Sequence, residues 1–507
     1  MLPERRHKHR TSTGVILVRI LYIDIDTLRP DHLSCYGYER NTSPNIDRIA
    51  GEGVRFENCC VSDAPCLPSR AALWNGRFGI HTGIVNHGGT AADLRIEGQP
   101  RGFRTSPRYA PWMACLRNGG MYTVSVSPYA ERHSAWWFCA GFREFYNPGK
   151  GGNEIADDVS PYAVEWLEKN AERDDWFLHV NFWDPHTMYR TPMAYGNPFE
   201  SDPAPGWPTA AEITAHFNSY GPHSAQDLGG WAPCDPERHP RVPAQIATPE
   251  DYRKWIDGYD VGIRYADDHV GKILGALAKA GVLDETVIIV SSDHAENQGE
   301  LNVYGDHQTA DYSTPRVPLI IRWPGLPRGR VDTALHYQAD MAATVLELLG
   351  IEMPPTWDAE SFAPSLRAGA ENGREYLVLS QCAWSCQRSV RRGPWLMIRT
   401  YHDGLKDFPE HMLFNVEDDR HETTNLAEAR PDIVVEHLAL LDQWHGEMMG
   451  RSESEVDPLW NVIREGGPLH TRGSLESYCE RLRATGRGHH AQALEARHGG
   501  RTAVVSG

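Results

Sequence analysis

The stretch APCLPSRAALWNGR, Ala64 to Arg77, places a thiol, Cys66, two residues before a proline and four before Arg70, at what reads as the start of a helix. A cysteine that only fills a core needs no such company. A thiol beside guanidinium groups and helix N-terminal amides is placed to work on an anion, since both present positive charge. Arg70 and Arg77 flank this short helix. A second group is acidic. Asp24 and Asp26 end the run VILVRILYIDID, and at i and i+2 of a strand their side chains share one face. Asp293 and His294 close another apolar run, TVIIVSS. Carboxylates at strand ends are costly inside a sheet unless hydrogen bonds or a cation meet them. One aspartate of the first strand with Asp293 and His294 makes a mostly oxygen donor set, suited to Ca²⁺, Mg²⁺ or Mn²⁺. Singly, each residue also fits a plainer role as a cap or a satisfied core histidine. Their shared position at strand ends favours the metal.

Three histidines fall in comparable places. His186 follows a strand in FWDPHTMY, His307 lies in GDHQTADYSTPRVP, and His133 lies in ERHSAWWF. With 24 histidines in the chain most are incidental, and those near strand ends are the candidates for holding an anion or protonating a leaving group. Trp136, Trp137 and Trp183 stand near these residues, as stacking walls for a substrate or as core; for Trp183, on a strand, core is favoured.

The elements that must position these groups alternate. The β-branched run before Asp24 reads as a strand buried on both faces. TSPNIDRIAGEGVRFENC, SPYAVEWLEKNAERDDWFLHVNFWDPH and YADDHVGKILGALAKAGVLDETVIIVSSDH each read as a helix followed by a strand. The pattern predicts an α/β sandwich around a large, mainly parallel sheet, with ligands at the C-terminal strand ends. Residues 187–250, rich in Pro, Gly, His and Trp, read as a long insertion near the cleft. Near residue 370 the pattern turns to short antiparallel strands and a helix. The expected division is a catalytic unit over residues 16–370, a smaller C-terminal subdomain over 371–485, and a tail over 486–507.

The formal charge of −18, from 50 Lys and Arg against 68 Asp and Glu, argues against a general nucleic-acid binder. It leaves room for an anionic small substrate held by local cations. Ten cysteines show no staple or CxxC pattern and fit a reducing compartment. The basic start runs into an apolar stretch broken by Arg19 and reads as a tail and a core strand, not a signal peptide. No stretch is long enough to span a bilayer. The expected location is the cytoplasm.

Cys66-Leu67-Pro68-Ser69-Arg70 followed by Leu73 to Arg77 resembles the signature of type I sulfatases, of the alkaline-phosphatase-like superfamily, with Trp74-Asn75 departing from its second half. DTLRPDHLSCYGY and SSDHAE resemble the family's two metal motifs, with Thr27 where many members carry another aspartate. HVNFWDPHTMY, the segment around His307 and LFNVEDDRHETTNLA match further motifs in the same order. The resemblance implies an alkaline-phosphatase-like fold and oxidation of Cys66 to Cα-formylglycine by a formylglycine-generating enzyme. It implies a divalent metal, Ca²⁺ first, on Asp26, Asp293, His294 and residue 66, with Asp24 behind them. Arg70, His133, His186 and His307 become the catalytic candidates. The family's lysine motif after GGMYTVSVSP is missing, and His133 or Arg132 stands near its place; His81, in GIHTG, is a weaker candidate. The implied activity is hydrolysis of a carbohydrate, aryl or alkyl sulfate. Two alternatives stay open: a phosphonate monoester or phosphodiester hydrolase of the same superfamily, and a non-catalytic binder of sulfated glycans.

Overall fold

The computed structural model describes residues 18–95, 107–368 and 371–498. The start expected at residue 16, the boundary at residue 370 and the end of the tail lie outside the described residues. A central sheet has eight strands in the spatial order Arg330–Tyr337, Val54–Cys60, Arg316–Arg322, Thr286–Ser291, Arg19–Ile25, Trp176–Phe182, Tyr122–Val126 and Glu144–Tyr146. Only Arg316–Arg322 runs antiparallel to its neighbours. The mainly parallel α/β sandwich expected from the alternating pattern is therefore present.

Arg19–Ile25 shows how the sequence builds this layer. Its odd residues Leu21, Ile23 and Ile25 enter one buried cluster, with the long helix Pro249–Lys279 and the helix Ala156–Asn170. Its even residues Ile20 and Tyr22 enter a second cluster on the other face, with Cys66, Leu67, Ala71 and Trp74. Asp24 continues the even series. The strand's period of two thus turns the acidic pair toward the helix Cys66–Asn75. That helix ends at Gly76, whose φ of +62° and closeness to Trp357 leave no room for a side chain.

A second sheet takes the antiparallel strands Leu377–Gln381, Cys386–Arg392, Trp395–His402 and His411–Asn415, covered by the helix Pro431–Arg451. Asp63–Ala64 adds to its edge, pairing with Ser380 and Gln381. The residues just before Cys66 are thereby stitched to the C-terminal sheet, while the helix that follows packs on the central one.

Part of the segment expected as a tail is folded. Gly488–His498 is a helix packed on Leu475–Ala484, and together they bury Tyr478, Leu482 and Leu494 with Tyr220 and Leu405. Asp227, in the 187–250 insertion, accepts hydrogen bonds from Tyr478 at 2.9 Å and Arg487 at 2.9 Å, which ties the insertion to these helices. Among the described residues no helix is long and apolar enough to cross a membrane.

Candidate active site

Arg70 lies one turn into the helix that Cys66 opens, and it is 1% exposed. Its Nη2 donates to Asp24 Oδ2 at 3.0 Å and to Asp26 Oδ2 at 3.2 Å, and its Nη1 donates to Asp293 Oδ2. Its guanidinium carbon sits 4.7 Å from the Tyr129 ring centre. One guanidinium therefore meets three buried acidic groups, more than it can neutralise. Burial pushes the Asp24 carboxyl up, but Arg70 and the hydrogen bond from His179, at 3.3 Å, outweigh it and hold it below its ordinary value. Asp26 goes the other way, raised well above its ordinary value by burial and then by Asp293. Thr27, at φ +57°, turns the chain after Asp26, and its N–H donates to Asp293 Oδ1 at 3.3 Å.

Two details point to a cation among these groups. Asp24 Oδ1, Asp26 Oδ1 and His294 Nε2 are buried without a hydrogen-bond partner. His294 donates its Nδ1–H to Ala295 O at 2.8 Å, so in the neutral ring Nε2 carries a lone pair. Burial keeps that ring neutral by lowering its pKa. The lone pair lies 3.3 Å from Asp293 Oδ2, two acceptors face to face. A positive ion between them would resolve such a pairing.

The other side of Cys66 is made of imidazoles. Its Sγ lies 3.4 Å from His133 Nε2 and 3.5 Å from His87 Nε2. His87 Nδ1 in turn lies 2.9 Å from His470 Nε2, and His470 stacks on Trp384 with ring centres 4.6 Å apart. Burial pushes the Cys66 thiol up and the pKa values of His87, His133 and His470 down, so the thiol and the rings are neutral together.

A third wall completes the space. The rings of His294 and His307 are 4.2 Å apart, and those of His307 and His186 are 5.9 Å apart. His186 stacks on Trp183 at 4.4 Å, and the Arg132 guanidinium carbon lies 3.4 Å from the Trp183 ring centre. Trp183, directly after the strand Trp176–Phe182, is buried as a core residue would be, yet it holds two polar side chains at the wall.

Asp24, Asp26, Cys66, Arg70, His133, Asp293 and His294 thus come together, with His307 and His186 beyond His294. Two candidates do not join them. His81 is bound to Asp358 at 2.7 Å and to Met448 O at 2.9 Å, a brace between the core and the helix Pro431–Arg451. Arg77, past the far end of the helix, lies 5.2 Å from the Tyr109 ring centre. His87 and His470 were missed. They sit in loops with no periodicity, and His470 follows Cys66 by most of the chain. A large cavity lies elsewhere, lined by Val18, Met121 and Asp175 at the N-terminal ends of the strands. It contains none of these groups, and in parallel sheets chemistry belongs at the opposite ends.

The sulfatase family pattern matches residues 19–351. The chain is 23% identical to an N-acetylglucosamine-6-O-sulfatase of Bacteroides thetaiotaomicron over 405 residues, 68% of this chain and 70% of that protein. It is 26% identical to a choline-sulfatase of Rhizobium meliloti, over 76% of this chain and 78% of the relative. In fold it is similar to a solved protein in complex with its substrate D-glucosamine-2-N,6-O-disulfate, with a TM-score of 0.70, 18% identity, and coverage of 87% of this chain and 99% of the other. It is also similar to a phosphonate monoester hydrolase from Silicibacter pomeroyi, with a TM-score of 0.64, 19% identity, and coverage of 86% and 96%. A family pattern spanning most of the chain, on an alkaline-phosphatase-like fold with these residues at its strand ends, makes the chain a member of the sulfatase family, enzymes that hydrolyse sulfate esters.

Proposed function

We propose that the chain hydrolyses the sulfate monoester of a sulfated carbohydrate at residue 66, after a formylglycine-generating enzyme has oxidised Cys66 to formylglycine, and beside a divalent cation. The observation that carries the reading is the position of Cys66, between a carboxylate cluster with unsatisfied charge and two neutral imidazoles. The carbohydrate class rests on relatives named as an N-acetylglucosamine-6-O-sulfatase and an iduronate 2-sulfatase.

Asp26, Asp293 and His294 would hold the cation together with residue 66. Their unpaired acceptors and excess negative charge fit an ion of charge two, and the oxygen-rich set fits Ca²⁺. Such an ion screens the charge on sulfate oxygens and polarises them toward attack. A hydrated aldehyde at residue 66 supplies one hydroxyl as nucleophile and a second whose deprotonation lets sulfate leave, which a thiol does not offer.

The chain's own groups do the rest. Arg70 adds positive charge at the sulfate oxygens, already oriented by Asp24, Asp26 and Asp293. His133 and His87 present Nε2 to residue 66 and are placed to take its proton. Of the two histidines on the far wall, His186 commits its Nδ1–H to Thr187 O at 2.6 Å, whereas His307 Nδ1 is buried without a partner. His307 is therefore the better proton donor to the leaving oxygen. Arg132, held against Trp183, takes up charge near the place of the missing lysine.

A second reading, phosphonate monoester hydrolysis, draws on fold similarity to the phosphonate monoester hydrolases of Silicibacter pomeroyi and Agrobacterium radiobacter. Parallel assays separate the two. Protein made with the converting enzyme is offered carbohydrate sulfates, an aryl sulfate, choline sulfate and a phosphonate monoester. The expected result is the highest kcat/KM on a carbohydrate sulfate. A phosphonate monoester turned over tenfold faster than every sulfate overturns the assignment.

A further inference from the structure

The thiol that the gene encodes has a second chemistry open to it before any conversion. The ligand atoms of Cys66, His87 and His133 all lie within 4.8 Å of one another. In a tetrahedral zinc site, with Zn–S near 2.3 Å and Zn–N near 2.0–2.1 Å, a sulfur and a nitrogen ligand are about 3.5 Å apart. The two distances from Cys66 Sγ to imidazole Nε2 atoms are 3.4 and 3.5 Å. The outer partner that metal-bound histidines usually have is also present. His470 Nε2 lies 2.9 Å from His87 Nδ1, and when it accepts that N–H it leaves the His87 Nε2 lone pair directed at the sulfur. His470 is itself fixed by its stack on Trp384. His87 and His133 are half-buried, not sealed, which gives an ion a way in. One thiolate and two imidazoles form a softer set than the carboxylates on the other side of residue 66, and softness selects zinc over calcium.

We propose that the unconverted protein binds Zn²⁺ through Cys66 Sγ, His87 Nε2 and His133 Nε2, with His470 as the positioning residue for His87, and that conversion of the thiol abolishes the site. Binding displaces the thiol proton to solvent as the Zn–S bond forms, and no redox partner is needed. Three protein ligands leave a coordination position open. The inference concerns the thiol form and stands apart from sulfate hydrolysis, so either can fail without the other.

The test uses the full chain expressed without the converting enzyme, its thiol verified by mass, and titrated with Co²⁺ as a spectroscopic substitute and Zn²⁺ as competitor. The expected result is a sulfur-to-cobalt charge-transfer band in the near ultraviolet with the intense visible bands of four-coordinate cobalt. The signal saturates at one equivalent and is displaced by Zn²⁺. Cys66→Ser loses the charge-transfer band. His87→Ala and His133→Ala each weaken binding by at least tenfold, and His470→Ala by about tenfold, the size an outer-shell partner carries. Formylglycine-bearing protein shows no band, and Asp293→Asn keeps it. No charge-transfer band in the unaltered thiol protein overturns the proposal without recourse to any variant. So does loss of binding in Asp293→Asn with retention in His87→Ala, which would put the ion among the carboxylates.

Discussion

The two sides of residue 66 are built on different principles. The carboxylate side takes Asp24, Asp26 and Asp293 from the ends of adjacent central strands and Arg70 from a helix packed on them, all at most 1% exposed. Every one of these groups is held by more than its own backbone, because Arg70 cross-links the three acids. The imidazole side takes His87 and His133 from loops and His470 from beyond the region that the family pattern matches. Its members touch one another and Cys66, but no strand carries them. In the proposed reaction the charged half is the fixed support for the sulfate group, and the loop-borne half lines the side of residue 66 that no strand braces.

The comparison breaks most readily at Arg70. Arg70→Ala leaves three buried carboxylates facing each other, and the expected cost is about 3–5 kcal/mol in urea unfolding, the usual penalty for stranding buried charge. Molecules that still fold should lose at least about a thousandfold in kcat/KM on a sulfate monoester. Asp293→Asn should cost a similar factor in kcat with a smaller change in stability, and chelation of the wild-type enzyme should reproduce the loss until a divalent ion is returned. On the imidazole side the effects are smaller. His133→Ala should lower kcat by about 10²–10³, the range of a single proton-transfer group, with KM little changed.

Two predictions concern stability alone. Lys406 is buried, and burial depresses its pKa to about 7. Below pH 7 both folded and unfolded chains carry its charge, and the native state bears the full cost of burying it. Between pH 7 and its ordinary value near 10.5 the unfolded chain binds more protons, so this contribution becomes more favourable as pH rises. Lys406→Met should therefore stabilise more at pH 6 than at pH 9, by about 2–3 kcal/mol in denaturant titrations. His81→Ala should cost about 1–2 kcal/mol by removing the bonds to Asp358 and Met448 O, and leave kcat and KM unchanged. A loss of turnover in that variant would return His81 to the site.

What could be read from the residues follows the same division. Asp24, Asp26, Asp293 and His294 were legible because a strand's period of two, and its end, say where a side chain must go. Arg70 was legible because four residues bring it one turn along the helix from Cys66. His87 and His470 were not, since no local period places a loop residue against a thiol, and the contact between them joins residues 383 positions apart. His81, weighed only as a weaker candidate, lies in the short helix Gly79–Thr82, where the partner Asp358 reveals a brace. The helix Gly488–His498 escaped notice because its buried positions, Ala491, Leu494 and His498, are too few and too mixed to signal an apolar face. The edge pairing of Asp63–Ala64 is likewise too short to register as a strand.

The most direct measurement relates turnover to the chemical state of residue 66. Preparations made with graded amounts of converting enzyme are analysed for the aldehyde fraction in the peptide carrying Cys66, and each is assayed on a carbohydrate sulfate. The account requires turnover per molecule to rise in proportion to the aldehyde fraction and to vanish where only thiol is found. Thiol-only protein that hydrolyses the ester at the full rate, or fully converted and metal-replete protein that hydrolyses no sulfate ester at all, would contradict it.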